Sequence, residues 1–130
     1  MKHRGRLLEV LRRAETGPLI DEKDFEGRLI TSTVKRLIKE YGIKYDPETL
    51  VPSDDDLADR LYQAGLKFAV EVGLFCQDTN RRLIWSRQEY EDALRSCPNE
   101  AVMGDGNDRV TVRSRLPEDK TPVVVSGGAV

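Results

Sequence analysis

The sequence has a single histidine, two cysteines and few aromatic residues. Each shortage removes a class of function. His3 has no second histidine to share a metal with, and near the chain start it has no fixed partner to orient it as a general base. Cys76 and Cys97 fall in no C-x-x-C or Cys/His grouping, so no zinc site is written here, and reduced cytosolic thiols are the simplest reading. Cys76, in a strand-like run, reads as a small buried apolar residue. No apolar run approaches the ~20 residues of a membrane helix. Leu7 to Leu11 is interrupted by Glu9, which breaks any secretory core. Charge of one sign is lacking too: 21 basic residues face 23 acidic ones, so neither nucleic acid nor an anionic membrane is called for as a partner. With 38% apolar and 34% charged residues, the core available to 130 residues is thin. There is no internal repeat and no low-complexity segment. A cytoplasmic protein of one domain, or part of a larger one, fits these totals.

What is present is a series of well-punctuated elements. The central stretch runs from Ser53 to Trp85. Ser53 reads as an N-cap, and Asp54, Asp55 and Asp56 place negative charge on the positive end of the helix dipole. Leu57, Leu61, Ala64, Phe68 and Val72 line one face of that helix, and Gly73 stops it. Leu74-Phe75-Cys76 is a strand, Asp78-Thr79-Asn80 a turn and Leu83-Ile84-Trp85 the return. Before this stretch, residues 4–15 predict a short helix with Leu7, Leu8 and Leu11 as its stripe. Residues 22–41 predict a second helix with Phe25, Leu29, Ile30, Val34, Leu37, Ile38 and Tyr41 on one face, ended by Gly42. Gly27 and the β-branched Thr31, Thr33 and Val34 weaken it, so it needs tertiary packing. A linker with Pro47 and Pro52 follows.

After the hairpin, Ser86 and Glu89 have capping-box spacing and open a helix over about 87–96, with Tyr90, Ala93 and Leu94 inward. Ala101-Val102-Met103 and the alternating Val110, Val112 and Ser114 predict a second hairpin about Gly104-Asp105-Gly106-Asn107, where Asp-Gly is a strong turn signal. Leu116 to Pro122 reads as a polar loop. Val123-Val124-Val125 is bare of charge, as in a strand buried on both faces. With Ser126-Gly127-Gly128 after it, it reads as the first strand of something that continues. The expected division is a short helix in 1–20, a helical region in 21–100 with its hairpin at about 74–85, and a hairpin with an entry strand in 101–130.

Candidate chemistry is sparse. Arg4, Arg6, Arg12 and Arg13 lack interleaved aromatics and read as a solvated helix face rather than a nucleic-acid patch. The run Asp54 to Asp56 lacks calcium-loop spacing. Gly104-Asp105-Gly106 lacks the helix that would give a phosphate loop its dipole. Ser126-Gly127-Gly128 is where a ligand at a strand end is geometrically sensible, but a plain strand-to-loop turn is the favoured reading. No nucleophile, base and oxyanion site assemble. No catalytic, cofactor-binding or metal residue is assigned.

The run VPSDDDLADRLYQAGLKFAVEVGLFCQDTNRRLIWSRQEYEDAL, then VMGDGNDRVTVRSR, then PVVVSGG, with KEYGIKYD before them, resembles the N-terminal region of the monomethylamine methyltransferases. The likeness covers roughly Asp21 to Gly128 in one order; trimethylamine and glycine-betaine methyltransferases share the same helix, hairpin, helix, hairpin plan. The resemblance implies an α+β region, mainly helical with two short β-hairpins, that precedes a TIM (β/α)8 barrel. It implies transfer of a methyl group from monomethylamine to the cobalt of a separate corrinoid protein, with pyrrolysine holding the amine in several members. Those residues belong to the barrel, so none carries over to this sequence, and the region alone has no active site. The implied partners are the remainder of the barrel, the corrinoid protein and a second subunit. The alternative is a free-standing helical protein-interaction module.

Overall fold

The structure, a computed structural model, describes residues 2–49, 52–115 and 119–120, with side chains from Arg6 onward. The expected strand Val123–Val125, the Ser126-Gly127-Gly128 exit and the side chains of His3 and Arg4 lie outside the described residues. The protein is mainly helical with two small antiparallel sheets. It divides into two compact units, Met1–Asp92 and Ala93–Val130.

In the first unit α1 spans Lys2–Thr16 and ends before Gly17-Pro18. A helical stretch then begins at residue 22 and opens into a π-helical segment, Asp24–Ile30, before tightening into α2, Thr31–Glu40. The weak helix formers in this region tolerate the wider turn. The Thr31 hydroxyl follows it by donating to the Glu26 carbonyl, five residues back, at 3.2 Å. A π turn changes the phase of everything after it. Thr33, outside the predicted face, is therefore buried; of that face Leu37 stays buried, while Val34 and Ile38 are 38% and 45% exposed. Gly42, at φ 59°, ends the helix.

Helix α3 spans Asp55–Val72. Its N-cap is Asp54 and not Ser53: the Asp54 carboxylate accepts the Leu57 N–H at 3.1 Å. Two acceptable caps stand side by side, and the charged one makes the stronger bond at the dipole's positive end. Asp54→Ala should cost about 0.5–2 kcal/mol in thermal or urea unfolding, and Ser53→Ala should change nothing; equal losses would return the cap to Ser53.

The predicted α3 stripe holds at Ala64 and Val72, which are buried. Leu57 and Phe68 are half-buried. Leu61 is 48% exposed, whereas Leu66, outside the stripe, is buried. The reason is that α3 has neighbours on two sides. One side meets α2 through Arg36–Glu71 and Lys67–Glu40 ion pairs. The other meets α4, Arg87–Ser96, where Arg87 donates to Gln63 and the Tyr90 hydroxyl to the Ala69 carbonyl. Leu66 lies between Gln63 and Ala69 on that face. Of the inward residues predicted for α4, Tyr90 is half-buried, but Ala93 and Leu94 are exposed. Its capping box forms as read: the Ser86 N–H donates to Glu89 at 2.8 Å, and the Glu89 N–H to the Ser86 hydroxyl at 3.3 Å.

Between α3 and α4 lie β1, Leu74–Cys76, and β2, Arg81–Leu83. The pairing Leu74↔Leu83, Phe75↔Arg82, Cys76↔Arg81 moves the return strand earlier than predicted, leaving Ile84 and Trp85 beyond it. A four-residue turn, with Asn80 at φ 49°, closes the pair. Cys76 is half-buried. The segment after α1 lies along the free edge of β2: Arg82 N–H donates to Pro18, and Ile20 N–H to Asn80. The buried apolar residues of this unit are Phe25, Leu37, Ala64, Leu66, Val72 and Leu83, with the Phe25 and Phe75 rings stacked at 5.2 Å.

In the second unit β3, Glu100–Met103, pairs antiparallel with β4, Val110–Arg113. Met103 opposes Val110, so the loop is longer than an Asp-Gly turn. It contains a 3-10 turn over Gly106–Asp108, and the Asp105 carboxylate accepts the Gly106 N–H at 2.8 Å.

Candidate functional site

The candidates named from sequence do not converge. Cys76 is in β1 and Cys97 is exposed; both are free thiols. Asp54 is committed to its helix cap, and Gly104 to Gly106 form a hairpin loop. Among the described residues no three His, Cys, Asp or Glu side chains gather as metal ligands.

A highly connected polar group among the described residues is Arg13, in the last turn of α1 and 17% exposed. Its Nε donates to Glu9 at 2.9 Å, Nη1 to the Ile84 carbonyl at 2.9 Å and Nη2 to Glu89 at 2.5 Å. The guanidinium also lies 5.5 Å from the Trp85 ring centroid, and Trp85 meets Tyr90 edge to face at 6.1 Å. One side chain thus ties α1 to the end of the first hairpin and to the start of α4. Glu89 closes the capping box with one oxygen and takes Arg13 with the other. Sequence reading placed Arg13 on a solvated face, and its neighbour Arg12 does lie there, paired with Glu9.

Other arginines terminate helices. Arg60 donates to the Tyr41 and Gly42 carbonyls beyond α2. Arg82 donates to the Glu71 and Val72 carbonyls at the end of α3. Arg81 donates to the Gly17 carbonyl after α1, where the Thr79 hydroxyl also reaches Ala14. Carbonyls at helix ends lack intrahelical partners, and cations there complement the dipole. The adjacent Arg81-Arg82 pair, alternating across a strand between two helix ends, was the available signal in the sequence.

These contacts shift the carboxylates. Hydrogen bonds from Arg12, then Arg13, lower Glu9 from 4.5 to about 2. Arg13 first, and then the Ser86 backbone, hold Glu89 below the usual carboxylate range. Burial raises the Tyr90 hydroxyl. A carboxylate depressed by folding stabilises above its unfolded pKa and loses that contribution as pH falls through its folded one. For Glu9 the window runs from about 4.5 down to about 2. Glu9→Gln should therefore show a shallower loss of stability across that window than the unchanged chain, read by thermal unfolding at stepped pH. Parallel slopes would remove Glu9 from the linkage. Added salt should narrow the difference, because the pair is exposed.

The profile of the family described as Monomethylamine methyltransferase MtmB matches residues 6–130. The chain belongs to that family. Monomethylamine methyltransferase MtmB1 of Methanosarcina barkeri is 33% identical over 116 residues, covering 89% of this chain and 25% of the relative. Monomethylamine methyltransferase MtmB of Methanosarcina mazei is 34% identical over the same shares. Two solved structures share the fold with a TM-score of 0.78 and 30% identity: a crystal structure of the hydroxylamine MtmB complex, and one of the Methanosarcina barkeri Monomethylamine Methyltransferase. Each covers 83% of this chain and 23% of its own. The chain thus spans about a quarter of the length of these family members and matches their N-terminal part. No active site is evident among the described residues, and the polar groups that do converge bind helices to one another.

Proposed function

We propose that this chain is the N-terminal part of an enzyme that moves a methyl group from monomethylamine to the cobalt of a corrinoid carried by a separate protein. The match to the family over residues 6–130, by a chain a quarter as long as its relatives, carries the reading. The amine site, with pyrrolysine in the members that use it, belongs to a TIM barrel in the portion this chain does not span. The corrinoid enters as methyl acceptor, and no residue of this chain is assigned to it. The chain's own part is structural: to pack on the barrel and, in a homo-oligomer, to add to subunit contacts. Its large exposed apolar residues support this, Leu7, Leu8 and Leu11 of α1 among them, at 61%, 66% and 50% exposure. Apolar area in a row invites a partner surface. Among the described residues no helix is long and apolar enough to cross a membrane. A cytoplasmic setting is supported by the two free thiols.

The test replaces the corresponding N-terminal quarter of the Methanosarcina barkeri enzyme with this chain. The chimera should be soluble and should form methyl-cobalt from monomethylamine and the corrinoid protein, followed by absorbance. A chimera that does not assemble would overturn the reading and favour a free-standing interaction module.

A further inference from the structure

Hairpin β3–β4 has a one-sided chemistry. Its register places Ala101 opposite Val112 and Met103 opposite Val110. Side chains alternate across a strand, so these four share one face and make it wholly apolar. The other face carries Glu100 opposite Arg113 and Val102 opposite Thr111. Yet none of the described residues from Ala93 onward is buried; Met103 is 50% exposed and Val110 42%. A two-stranded hairpin with no cover is marginal in water. The unit therefore carries the pattern of a half-buried sheet without the burial that would stabilise it.

We infer that the apolar face formed by Ala101, Met103, Val110 and Val112 is the seat of a surface in the portion of the methyltransferase that this chain does not span. The inference rests on the proposed function. The occupant follows from length: the related proteins extend for about three-quarters of their residues beyond what this chain covers. The hairpin is the last pair of strands among the described residues. A charge on this face would have to be desolvated on docking, whereas a charge on the opposite face stays in water.

The experiment compares the isolated chain with the Methanosarcina barkeri chimera by amide hydrogen exchange, with Met103→Glu and Val112→Glu as variants and Thr111→Glu as the opposite-face control. In the unsubstituted chimera the β3 and β4 amides should exchange at least roughly tenfold more slowly than in the isolated chain, about 1.4 kcal/mol of added local stability. Met103→Glu and Val112→Glu should abolish that gain, while Thr111→Glu keeps it. In the isolated chain all three variants should unfold like the parent. The inference is overturned if the chimera assembles and both apolar-face variants remain as protected as the parent. It is equally overturned if the isolated chain already shows full protection, which would mean cover from within residues 1–130. A concentration-dependent dimer of the isolated chain, abolished by Met103→Glu, would assign the face to a second copy instead. Failure of the unsubstituted chimera to assemble is the distinct result that removes the proposed function, and this inference with it.

Discussion

Leu37→Ala should destabilise the chain by about 2–5 kcal/mol, the cost of removing a buried leucine and leaving its cavity partly open. Leu37 is 3% exposed and lines the floor of an apolar groove where α2 meets Ala64 and Phe68 of α3. The buried apolar set of the first unit is small, so no neighbouring reserve of packing absorbs the loss. At roughly 4–8 °C per kcal/mol for a domain of this size, the melting temperature should fall by about 10 °C or more. Ile38→Ala is the internal comparison. That side chain is 45% exposed, and its truncation should cost under about 1.5 kcal/mol. Urea midpoints for the two variants decide the matter. If Ile38→Ala proved the more damaging, the packed side of α2 would not be the one that holds Thr33 and Leu37.

Gly73→Ala should be comparably severe for a different reason. Gly73 adopts φ 70° and ψ −156°, a backbone region essentially reserved for glycine. A Cβ there would also overlap the Leu83 carbonyl oxygen of the facing strand. Backbone strain costs about 1–3 kcal/mol, and relieving the overlap by moving β2 adds about 1–3 kcal/mol. Gly65→Ala should have the opposite sign. Gly65 lies within α3, and nothing stands within 4 Å of the added carbon. Stability should rise by about 0.5–1 kcal/mol through helix propensity alone. Thermal unfolding of both variants reads the contrast, and a neutral Gly73→Ala would show that β2 is not held against the helix end.

The parts of the fold legible in the sequence are those set by local chemistry. Gly42 and Gly73 end helices where the spacing of apolar residues predicts, and Ser86 with Glu89 forms its capping box within four residues of chain. Where two local solutions were equivalent, the sequence left the choice to finer energetics, as with Ser53 and Asp54. The π segment was legible only as weakness, since propensity indicates which turns yield and not which way. The arginines were the least legible. A guanidinium that ties distant elements together looks the same in sequence as one in water, and Arg13 and Arg12 are adjacent residues with these two fates. For the same reason the exposed leucines of α1 read as a stripe but gave no sign of being left uncovered within the chain.

The ties that hold α1 have a consequence for the order of events at the ribosome. Its last turn is fastened to Thr79, Arg81, Ile84 and Glu89. None of these residues has been made when α1 leaves the exit tunnel. At roughly 5–20 residues per second, the interval before they arrive is on the order of several seconds. During that time Arg13 has Glu9 within its own helix but neither Ile84 nor Glu89 to bond. A nascent-chain binder would find the last turn of α1 open for that interval, until the hairpin and the start of α4 emerge to close it.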